Sequence, residues 1–441
     1  MSDGDSAAGR ICMFVYNTMV HDARVRKEAR TLASAGYDVT VLAVRDPGRA
    51  PNEETISGFR IHRVSRSVLG ISRLEMRARL RGRSALELRQ GSPRPRAQQS
   101  PRRRRGLRVR VMESLEAAVR SLIYPLRRVI VFLRFVRAGM RLDADAYHAH
   151  DLNTLLMAWT ASRLRRARLI YDTHEVATGR AIVPFRWWAC FLERTLIGRA
   201  DRVICTNQTR ADFTQQLYGI APPIILRNLP AYVEPEPSGL MHERLGIPPG
   251  EKIVLYQGGT QAQRGLEQLL DATVKTRRGT VVILGSGRLK SRLLERAAEL
   301  GLHDEVRFHD AVPVDELPAW TACAYLGTQL LQDTCFNHYS SLSNKLLEYM
   351  MAGVPAIASD LPEMRRVIED TKAGILVDAS NPTAIAQAID SLLADEELRA
   401  QLSANARAAR RRYCWEIEER VLVELYQGLL ADDARGRARG R

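Results

Sequence analysis

The feature that most constrains the fold is a regular alternation of short apolar runs with longer stretches whose apolar residues recur at helical spacing. The runs begin with "ICMFVY" and "DVTVLAV" and continue through "KIVLYQG" and "TVVILGSG" to "GILVD". Most are apolar on both faces, which is typical of strands buried between two layers of helices. Strands that alternate with helices predict parallel βαβ units, and therefore an α/β protein.

The segment 228–252, "NLPAYVEPEPSGLMHERLGIPPGEK", is rich in proline and glycine and breaks this pattern. It predicts a linker between two doubly wound halves, with ligands bound in a cleft at the carboxyl ends of the strands. We predict an N-terminal domain over 1–230 and a C-terminal domain over 231–414. A final helix over 415–430 and a basic, unstructured tail over 431–441 follow.

Composition limits the cellular setting. No stretch of 18 consecutive apolar residues exists, and the acidic start "MSDGDSAAGR" does not resemble a signal peptide. The six cysteines are scattered singly, which favours a reducing compartment over a disulfide framework or a zinc site. A cytoplasmic protein is expected.

The net charge of +16 is concentrated in one segment. Residues 73–141 hold 20 arginines, no lysine and four acids, so the rest of the chain is close to neutral. Within an arginine-rich insert at about 73–110, "GSPRPRAQQSPRRRRG" cannot bury enough apolar surface to fold and is predicted to be disordered. Aromatic residues are absent from Arg73 to Arg110, which argues against nucleic acid as a partner.

The stretch "YPLRRVIVFLRFVRAGM" is amphipathic, with an apolar face predicted at Leu126, Ile130, Leu133 and Val136. One interpretation is a core helix with a solvated arginine edge. The other is a helix that, with the insert, contacts an anionic membrane surface.

Glycines follow two strands of the second half. "YQGGTQAQRG" places Gly258 and Gly259 after a strand and Arg264 at the start of a helix, and Gly285 follows the next strand. Backbone amides at such positions bind phosphate well. Plain βα turns with a surface arginine are the alternative. The loop "HDAVPVDELPAW", which contains Val312, offers backbone groups that a flat heterocycle can contact.

The stretch "SNKLLEYMMAGVPAIASD" predicts a helix from about Asn344. Lys345 then lies in its first turn, where a cation is misplaced unless an anion is bound. One turn later, Glu348 can accept two hydroxyl hydrogen bonds, as from a ribose diol. A solvated glutamate that caps a neighbouring helix is the alternative. Together these features predict a nucleotide diphosphate site that needs no metal.

Histidines and acids end two strands of the first half. "YHAHD" supplies His148, His150 and Asp151, and "YDTHE" supplies His174 and Glu175. They suit hydrogen bonding to a polyhydroxyl ligand. These histidines lack the i, i+4 spacing and the cysteine partner that metal sites commonly have, which argues against a metal. A purely structural role is the other alternative.

The stretch "HDARVRKEAR" follows the first strand. Asp22 is placed to begin a helix, with His21 before it and Arg24 in its first turn. These three residues join the acceptor-side candidates.

The combination of "NKLLEYMMAGVPAIASD", "YQGGTQAQRGLEQLL", "HDARVRKEARTLASAGYDVTVLA" and "DAYHAHDLNTLLMA" resembles the family 4 retaining glycosyltransferases of the GT-B fold. The resemblance covers nearly the whole chain except about 64–125. It implies two Rossmann-like parallel-sheet domains that face a central cleft. The acceptor-side domain comes first, the donor-binding domain second, and the final helix crosses back to the first.

The resemblance also implies roles. Glu348 matches the second glutamate of the family's E-x7-E motif, which holds the donor ribose, and Arg264 matches the lysine that grips the donor diphosphate. The loop residue Val312 would contact the base, and His150 would lie near the transferred sugar. The predicted donor-binding residues are Gly258, Gly259, Arg264, Gly285, Val312, Ser343, Asn344, Lys345 and Glu348. The predicted acceptor-side residues are His21, Asp22, Arg24, Asp151, His174 and Glu175. Catalysis is assigned to His150, Arg264 and Lys345.

Two positions depart from the family pattern. Ser340 stands where the first glutamate of E-x7-E is expected, and Gly259 stands where the family has an arginine for the diphosphate. The double-glycine loop that often follows the family's first strand is also missing. The identity of the donor sugar therefore does not follow from the resemblance.

The implied function is retaining transfer of a hexose from a nucleotide sugar, UDP- or GDP-linked, without a metal or other cofactor. The acceptor is a glycan, a lipid-linked molecule or a natural product, as in polysaccharide or glycolipid biosynthesis, with a place on the inner face of the plasma membrane. Alternatives are a nucleotide-sugar epimerase of the same fold, a basic protein that binds nucleic acid or anionic membranes, and an inactive scaffold.

Overall fold

The computed structural model of the chain describes residues 8–46, 48, 50–67, 126–180, 185–276 and 278–439. The predicted arginine-rich insert at about 73–110 lies outside the described residues. The chain divides into two compact units. Of the described residues, the first unit takes in those within 1–171, 199–201 and 429–441, and the second those within 172–198 and 202–428.

The first sheet has the strand order β3-β4-β2-β1-β5-β6-β7-β8. Strand β1 pairs in parallel with β2 on one side and β5 on the other, so the direction of winding reverses between β1 and β5. Its strands are β1 Arg10–Phe14, β2 Asp38–Arg45, β3 Glu53–Ile56, β4 Phe59–Ser65, β5 Ala146–His150, β6 Arg168–Thr173, β7 Arg202–Cys205 and β8 Ile224–Ile225.

The edge strand β3 was not predicted. It pairs antiparallel with β4, Ile56 opposite Phe59, and its side chains alternate between exposed and half-buried. A polar strand of four residues at a sheet edge lacks the apolar run by which the other strands were recognised.

The second sheet has six strands in the order β11-β10-β9-β12-β13-β14, and all its pairs are parallel. Counted from β9, this is the 3-2-1-4-5-6 order of doubly wound dinucleotide-binding folds. The strands are β9 Ile253–Gln257, β10 Thr280–Leu284, β11 Val306–His309, β12 Leu326–Gln329, β13 Ala356–Ser359 and β14 Gly374–Val377. The predicted class, two parallel-sheet α/β domains, is confirmed.

Helices cover both faces of the second sheet. Along β9, Ile253 and Leu255 enter one apolar core, while Val254 and Tyr256 enter another on the opposite face. Successive strand residues point to opposite faces, so a strand covered on both sides has to be apolar throughout. This is why the buried strands read as unbroken apolar runs.

The helices lie between the strands. They are α1 Ala23–Ser34, α2 at 126–142, α3 Leu152–Arg165, α4 Arg186–Leu196, α5 Gln208–Tyr218, α6 Leu240–Leu245, α7 Leu266–Thr273, α8 Lys290–Glu299, α9 Leu317–Ala322, α10 Phe336–Tyr339, α11 Asn344–Ala352, α12 Pro362–Thr371, α13 Pro382–Ala394, α14 Glu396–Ala409 and α15 Trp415–Arg439.

Helix α15 is longer than predicted. It begins at Trp415 as expected but continues to Arg439, so the prediction of an unstructured tail from residue 431 was wrong over 431–439. Alanine and arginine, which dominate that stretch, both have high helix propensity.

The apolar face predicted for α2 was also partly wrong. Val131, Phe135 and Val136 are buried, whereas Leu126 and Leu133 are 52% and 56% exposed. Apolar residues surround most of this helix, so spacing alone could not show which side packs on the sheet.

No helix in the described part of the chain is both long enough and apolar enough to cross a membrane.

Candidate functional site

The predicted donor residues gather at the carboxyl edge of the second sheet. The strand order reverses between β9 and β12, and ligands of doubly wound sheets bind where such a reversal opens a crevice. Gly258 directly follows β9, and Gly285 directly follows β10.

Close packing explains two of these glycines. The N–H of Gly258 donates to the carbonyl of Leu284, and the N–H of Gly285 donates to that of His309. A Cβ on Gly285 would overlap the carbonyl oxygen of Gly258, and a Cβ on Gly258 would lie 2.7 Å from Cε of Lys345. Gly258 also has a φ of +112°, which favours glycine. These glycines bring two strand ends and one lysine stem into contact.

Gly259 is different, because there is room for a side chain. The nearest atom to an added Cβ is Nε2 of Gln261, at 3.6 Å. The Gly259 carbonyl accepts a hydrogen bond from the Tyr256 hydroxyl at 2.9 Å. The absence of the family's arginine is therefore not imposed by packing.

Two cations share the pocket without carboxylate partners. Among the residues that the structure describes, neither Arg264 nor Lys345 has a carboxylate oxygen within 4.0 Å. The pKa of Lys345 is lowered to about 8, mainly by burial and also by the neighbouring Arg264, against an opposing effect of Glu348. The Lys345 ammonium stands over the ring of Tyr256 at 5.2 Å. Two neighbouring positive charges, of which that of Lys345 is desolvated, would favour an anion that carries more than one negative charge.

The helix that carries Lys345 begins as predicted. Ser343 precedes α11 with extended backbone, Asn344 is its first residue and is exposed, and Lys345 lies in the first turn. The positive end of the helix dipole adds to the two cations. An anion bound there would be stabilised by both.

Glu348 is partly exposed one turn further along α11. Its Oε2 accepts a hydrogen bond of 2.6 Å from the side-chain amide of Gln257, the last residue of β9. The carboxylate is therefore tied to the strand end beside Gly258.

The loop after β11 is held by a small polar cluster. Lys290 Nζ lies 2.6 Å from Asp310, and Ser286 donates to the same carboxylate. These hydrogen bonds, that of Lys290 above all, lower the pKa of Asp310. Val312 follows, half-buried, and its backbone N–H and C=O have no hydrogen bond to any described residue.

Ser340 lies in an unexpected setting. It is completely buried, and its hydroxyl accepts from Nε of Arg210 at 3.1 Å while its carbonyl accepts from Asn207 at 2.7 Å. The same guanidinium donates to the carbonyls of Asn337 and His174. Where the family pattern expects a glutamate, this chain has a serine that fixes the loop leading into α11.

The residues Arg24, Glu28, His148 and His150 form a second polar cluster in the first unit. Arg24 Nε lies 2.9 Å from Glu28, and Glu28 Oε2 lies 4.0 Å from Nδ1 of His150. The His148 and His150 rings stack with centroids 4.1 Å apart. All four side chains are buried. His150 thus lies at the end of β5, as predicted, but inside a polar core.

This cluster bears on metal binding. Glu28, His148 and His150 each bring a ligand atom within 4.8 Å of the others. The Arg24 guanidinium already neutralises the carboxylate there and opposes a further cation. The expectation of no metal stays a prediction.

Asp22 caps α1 as predicted. Its carboxylate accepts from the N–H of Val25 at 3.1 Å, and His21 before it is exposed. Asp151 precedes α3 without a side-chain cap and has a φ of +63°, which costs about 1–3 kcal/mol of backbone strain. Strain of this kind concentrates at functional sites.

His174 and Glu175 lie after β6 in the second unit. His174 Nε2 is 3.4 Å from Asp172, and Glu175 pairs with Arg180 at 3.0 Å. Glu175 is about half exposed, so its ion pair leaves it accessible to a ligand.

Sequence analysis missed Gln257, Arg210 and Glu28. Gln257 had a visible mark, because it is a polar residue at the end of an apolar strand and directly precedes two glycines. Arg210 has partners at Asn337, Ser340 and His174, which lie 127, 130 and 36 residues away, and no local pattern reveals them.

The chain is similar to known glycosyltransferases. The family described as Glycosyl transferases group 1 matches residues 239–409, and a Glycosyl transferase 4-like domain matches residues 22–228. A D-inositol 3-phosphate glycosyltransferase of Acidothermus cellulolyticus is 30% identical over 329 residues, which are 68% of this chain and 72% of that protein. The corresponding protein of Xylanimonas cellulosilytica is 27% identical over 305 residues, 64% of this chain and 71% of its own.

Solved structures share the fold. Sucrose-phosphate synthase of Thermosynechococcus elongatus superposes with a TM-score of 0.71 at 18% identity, over 96% of this chain and all of that one. Anabaena HepE in complex with UDP-glucose superposes with a TM-score of 0.66 at 15% identity, over 95% and 100% of the two chains.

Proposed function

Because the chain belongs to the group 1 glycosyltransferases and has the two-domain GT-B fold, we propose that it transfers a sugar from a nucleotide diphosphate donor with retention of configuration and without a metal. The observation that carries the proposal is the pair Arg264 and Lys345. These two cations lack carboxylate partners among the described residues, and Glu348 shares their pocket.

Departure of the diphosphate is the step that this pocket would assist. As the bond between the sugar and the phosphate breaks, negative charge grows on the leaving oxygen. Arg264, Lys345 and the start of α11 would stabilise this charge without any rearrangement of the protein, because they are in place before the bond breaks. Two fixed cations supply the neutralisation that a divalent ion provides in other phosphate sites, which supports the metal-independent proposal.

Glu348 would accept hydrogen bonds from the ribose diol, and the backbone of Val312 would contact the base. A UDP-linked hexose is the first donor to test, since HepE was solved with UDP-glucose. GDP-linked sugars come next. The acceptor panel should include polyol phosphates, because the relatives are named for D-inositol 3-phosphate, together with glycans, lipid-linked sugars and natural products.

Binding calorimetry tests the donor site directly. UDP, GDP, ADP and TDP are titrated into the wild type and into Glu348→Ala with a metal chelator present. We expect micromolar binding of one nucleotide and at least tenfold weaker binding to the variant, since hydrogen bonds to a charged group contribute about 1.5–3 kcal/mol. Failure of the folded wild type to bind any of the four would overturn the proposal. The anomeric configuration of the product, read by proton NMR, tests retention.

An anionic membrane surface is the second proposed partner, and helix α2 supports it. Leu126, Val129 and Leu133, spaced as one helical stripe, are each more than half exposed. The exposed charges beside them are arginines, among them Arg128 and Arg137. An apolar stripe flanked by arginines is typical of helices that lie on anionic lipid.

Co-sedimentation with phosphatidylglycerol vesicles tests this surface, with phosphatidylcholine vesicles as the uncharged control. The triple change of Leu126, Val129 and Leu133 to serine should reduce binding at least tenfold. Helix α4 carries a separate exposed aromatic face, Trp187, Trp188 and Phe191. If only serine substitutions on α4 release the protein, the contact proposed for α2 is wrong.

A further inference from the structure

We propose that Gln257 is a positioning residue for donor binding, acting through the carboxylate of Glu348. The inference rests on the proposed function of the pocket and adds a residue that neither the family motif nor the sequence pattern supplied. Gln257 ends β9 and is 1% exposed.

Its side-chain amide bridges two groups. Nε2 donates to Glu348 Oε2 at 2.6 Å, and Oε1 accepts from the Thr321 hydroxyl at 2.8 Å. Thr321 is itself buried, on α9. The three residues form a chain, Thr321–Gln257–Glu348, that joins α9, β9 and α11.

The charge of the Glu348 carboxylate determines which atom of the Gln257 amide donates and which accepts. An ionised carboxylate only accepts hydrogen bonds, so the amide must present its NH2 group to Glu348. Its oxygen is then left for Thr321, whose single hydroxyl proton is shared between this oxygen and the carbonyl of Leu317 at 2.7 Å. Reversal of the amide would oppose two oxygens at 2.6 Å, so the arrangement has a single orientation.

The backbone holds the residue as firmly as the side chain. The N–H of Gln257 donates to the hydroxyl of Tyr349, whose single proton is shared between the carbonyls of Leu255 and Thr328. Tyr349 follows Glu348 directly on α11. Both ends of Gln257 are therefore tied to the same turn of the helix that carries the donor residues.

The consequence is a carboxylate ordered before the ligand arrives. Glutamate is a flexible side chain, and its ordering on binding would weaken affinity. The neutral amide of Gln257 orders the carboxylate and leaves its charge intact. A lysine or arginine at position 257 would cancel that charge. The diol of the ribose then meets a charged acceptor that is already in place.

Calorimetry with two probes separates positioning from a general structural role. Gln257→Leu should bind the nucleoside diphosphate about tenfold more weakly, the scale of one charge-assisted hydrogen bond. Its affinity for inorganic pyrophosphate, which has no ribose, should be unchanged. Equal weakening for both probes would show that the change distorts the pocket, and would overturn the inference.

A double-mutant cycle adds a second criterion. In a Glu348→Ala background, Gln257→Leu should have no further effect, because the residue through which it acts is missing. Additive losses would contradict the proposal. Thr321→Val should weaken nucleotide binding a few-fold, whereas Thr321→Ser keeps the hydroxyl and should bind like the wild type.

Gln257→Met serves as a second variant in case the leucine disturbs folding, and the thermal midpoint of each protein is measured alongside. If the wild type binds no nucleotide, the proposed function fails. If the wild type binds a nucleotide and both Gln257 variants bind it as tightly as the wild type does, only the proposed role of Gln257 is wrong.

Discussion

Two polar clusters occupy equivalent places in the two sheets, where the strand order reverses. In the first unit, Arg24 is paired with Glu28, and the histidines of β5 stack beside them in a buried core. In the second unit, Arg264 and Lys345 face each other's positive charge with no carboxylate within ion-pair distance among the described residues. In the first cluster Arg24 has a carboxylate partner on its own helix, whereas we propose that the cations of the second cluster bind an external anion. We infer that the presence or absence of a carboxylate partner, more than position in the fold, separates the two clusters.

The largest effect is expected from the second cluster, in which Arg264 and Lys345 have no carboxylate partner among the described residues. Arg264→Ala should lower kcat/KM for sugar transfer about 100- to 1,000-fold, as loss of one group that stabilises developing charge does. Steady-state kinetics with the nucleotide sugar identified by calorimetry measures it. Arg292→Ala, which removes an exposed arginine paired with Glu267, is the control and should keep normal activity. A loss below fivefold at Arg264 would contradict its role.

In the first cluster, loss of the Arg24–Glu28 ion pair should lower the stability of the fold. Glu28→Gln removes the carboxylate that pairs with the buried Arg24, which should destabilise the fold by about 3 kcal/mol. Scanning calorimetry should show a thermal midpoint several degrees lower. The double variant Arg24→Met, Glu28→Leu removes both charges and should recover most of the loss. If the single variant is as stable as the wild type, the pair is not a structural element.

The lowered pKa of Lys345 predicts how donor affinity varies with pH. Below about pH 8 the ammonium is charged and binding is strongest. Above it, the free protein loses the proton that a diphosphate requires, so Kd should rise about tenfold per pH unit. Titrations from pH 7 to 10 measure the slope. Lys345→Arg keeps its charge throughout and should give a flat profile, whereas a parallel rise in both proteins would exclude Lys345 as the cause.

The smallest predicted effect is an increase in the stability of the fold. Lys345→Met removes a desolvated cation beside Arg264 and should stabilise the fold by about 1 kcal/mol at pH 7 while impairing donor binding. In the unfolded chain the lysine keeps a pKa near 10.5, so the penalty of its lowered pKa fades as pH rises from 8 to 10.5. The advantage of methionine in thermal midpoint should therefore shrink at pH 10. A destabilised Lys345→Met would mean that the pocket is not strained by its own charge.

Much of this site could be anticipated from local sequence. Gly258, Gly285 and Lys345 were predicted as site residues because glycines after buried strands and a cation in a first helical turn are local patterns, and the structure places them at the positions expected. Helix α11 begins at Asn344, as its residues predicted. The buried face of α2 could not be chosen, because apolar residues surround that helix on most sides. The polar edge strand β3 was missed for the opposite reason, since it carries no apolar run.

The sequence by itself determined the alternation of strands and helices, the division into two α/β halves and the glycine-rich strand ends, because each depends on residues close together in the chain. Only the tertiary structure decided which charges are balanced. Arg24 and Glu28 are four residues apart, yet nothing local shows that both are buried beside His150. Gln257 and Glu348 are separated by 91 residues and meet only because β9 and α11 pack side by side. Hydrogen bonds and charge compensation depend on distances in space, and those are set by the packing of elements remote in sequence.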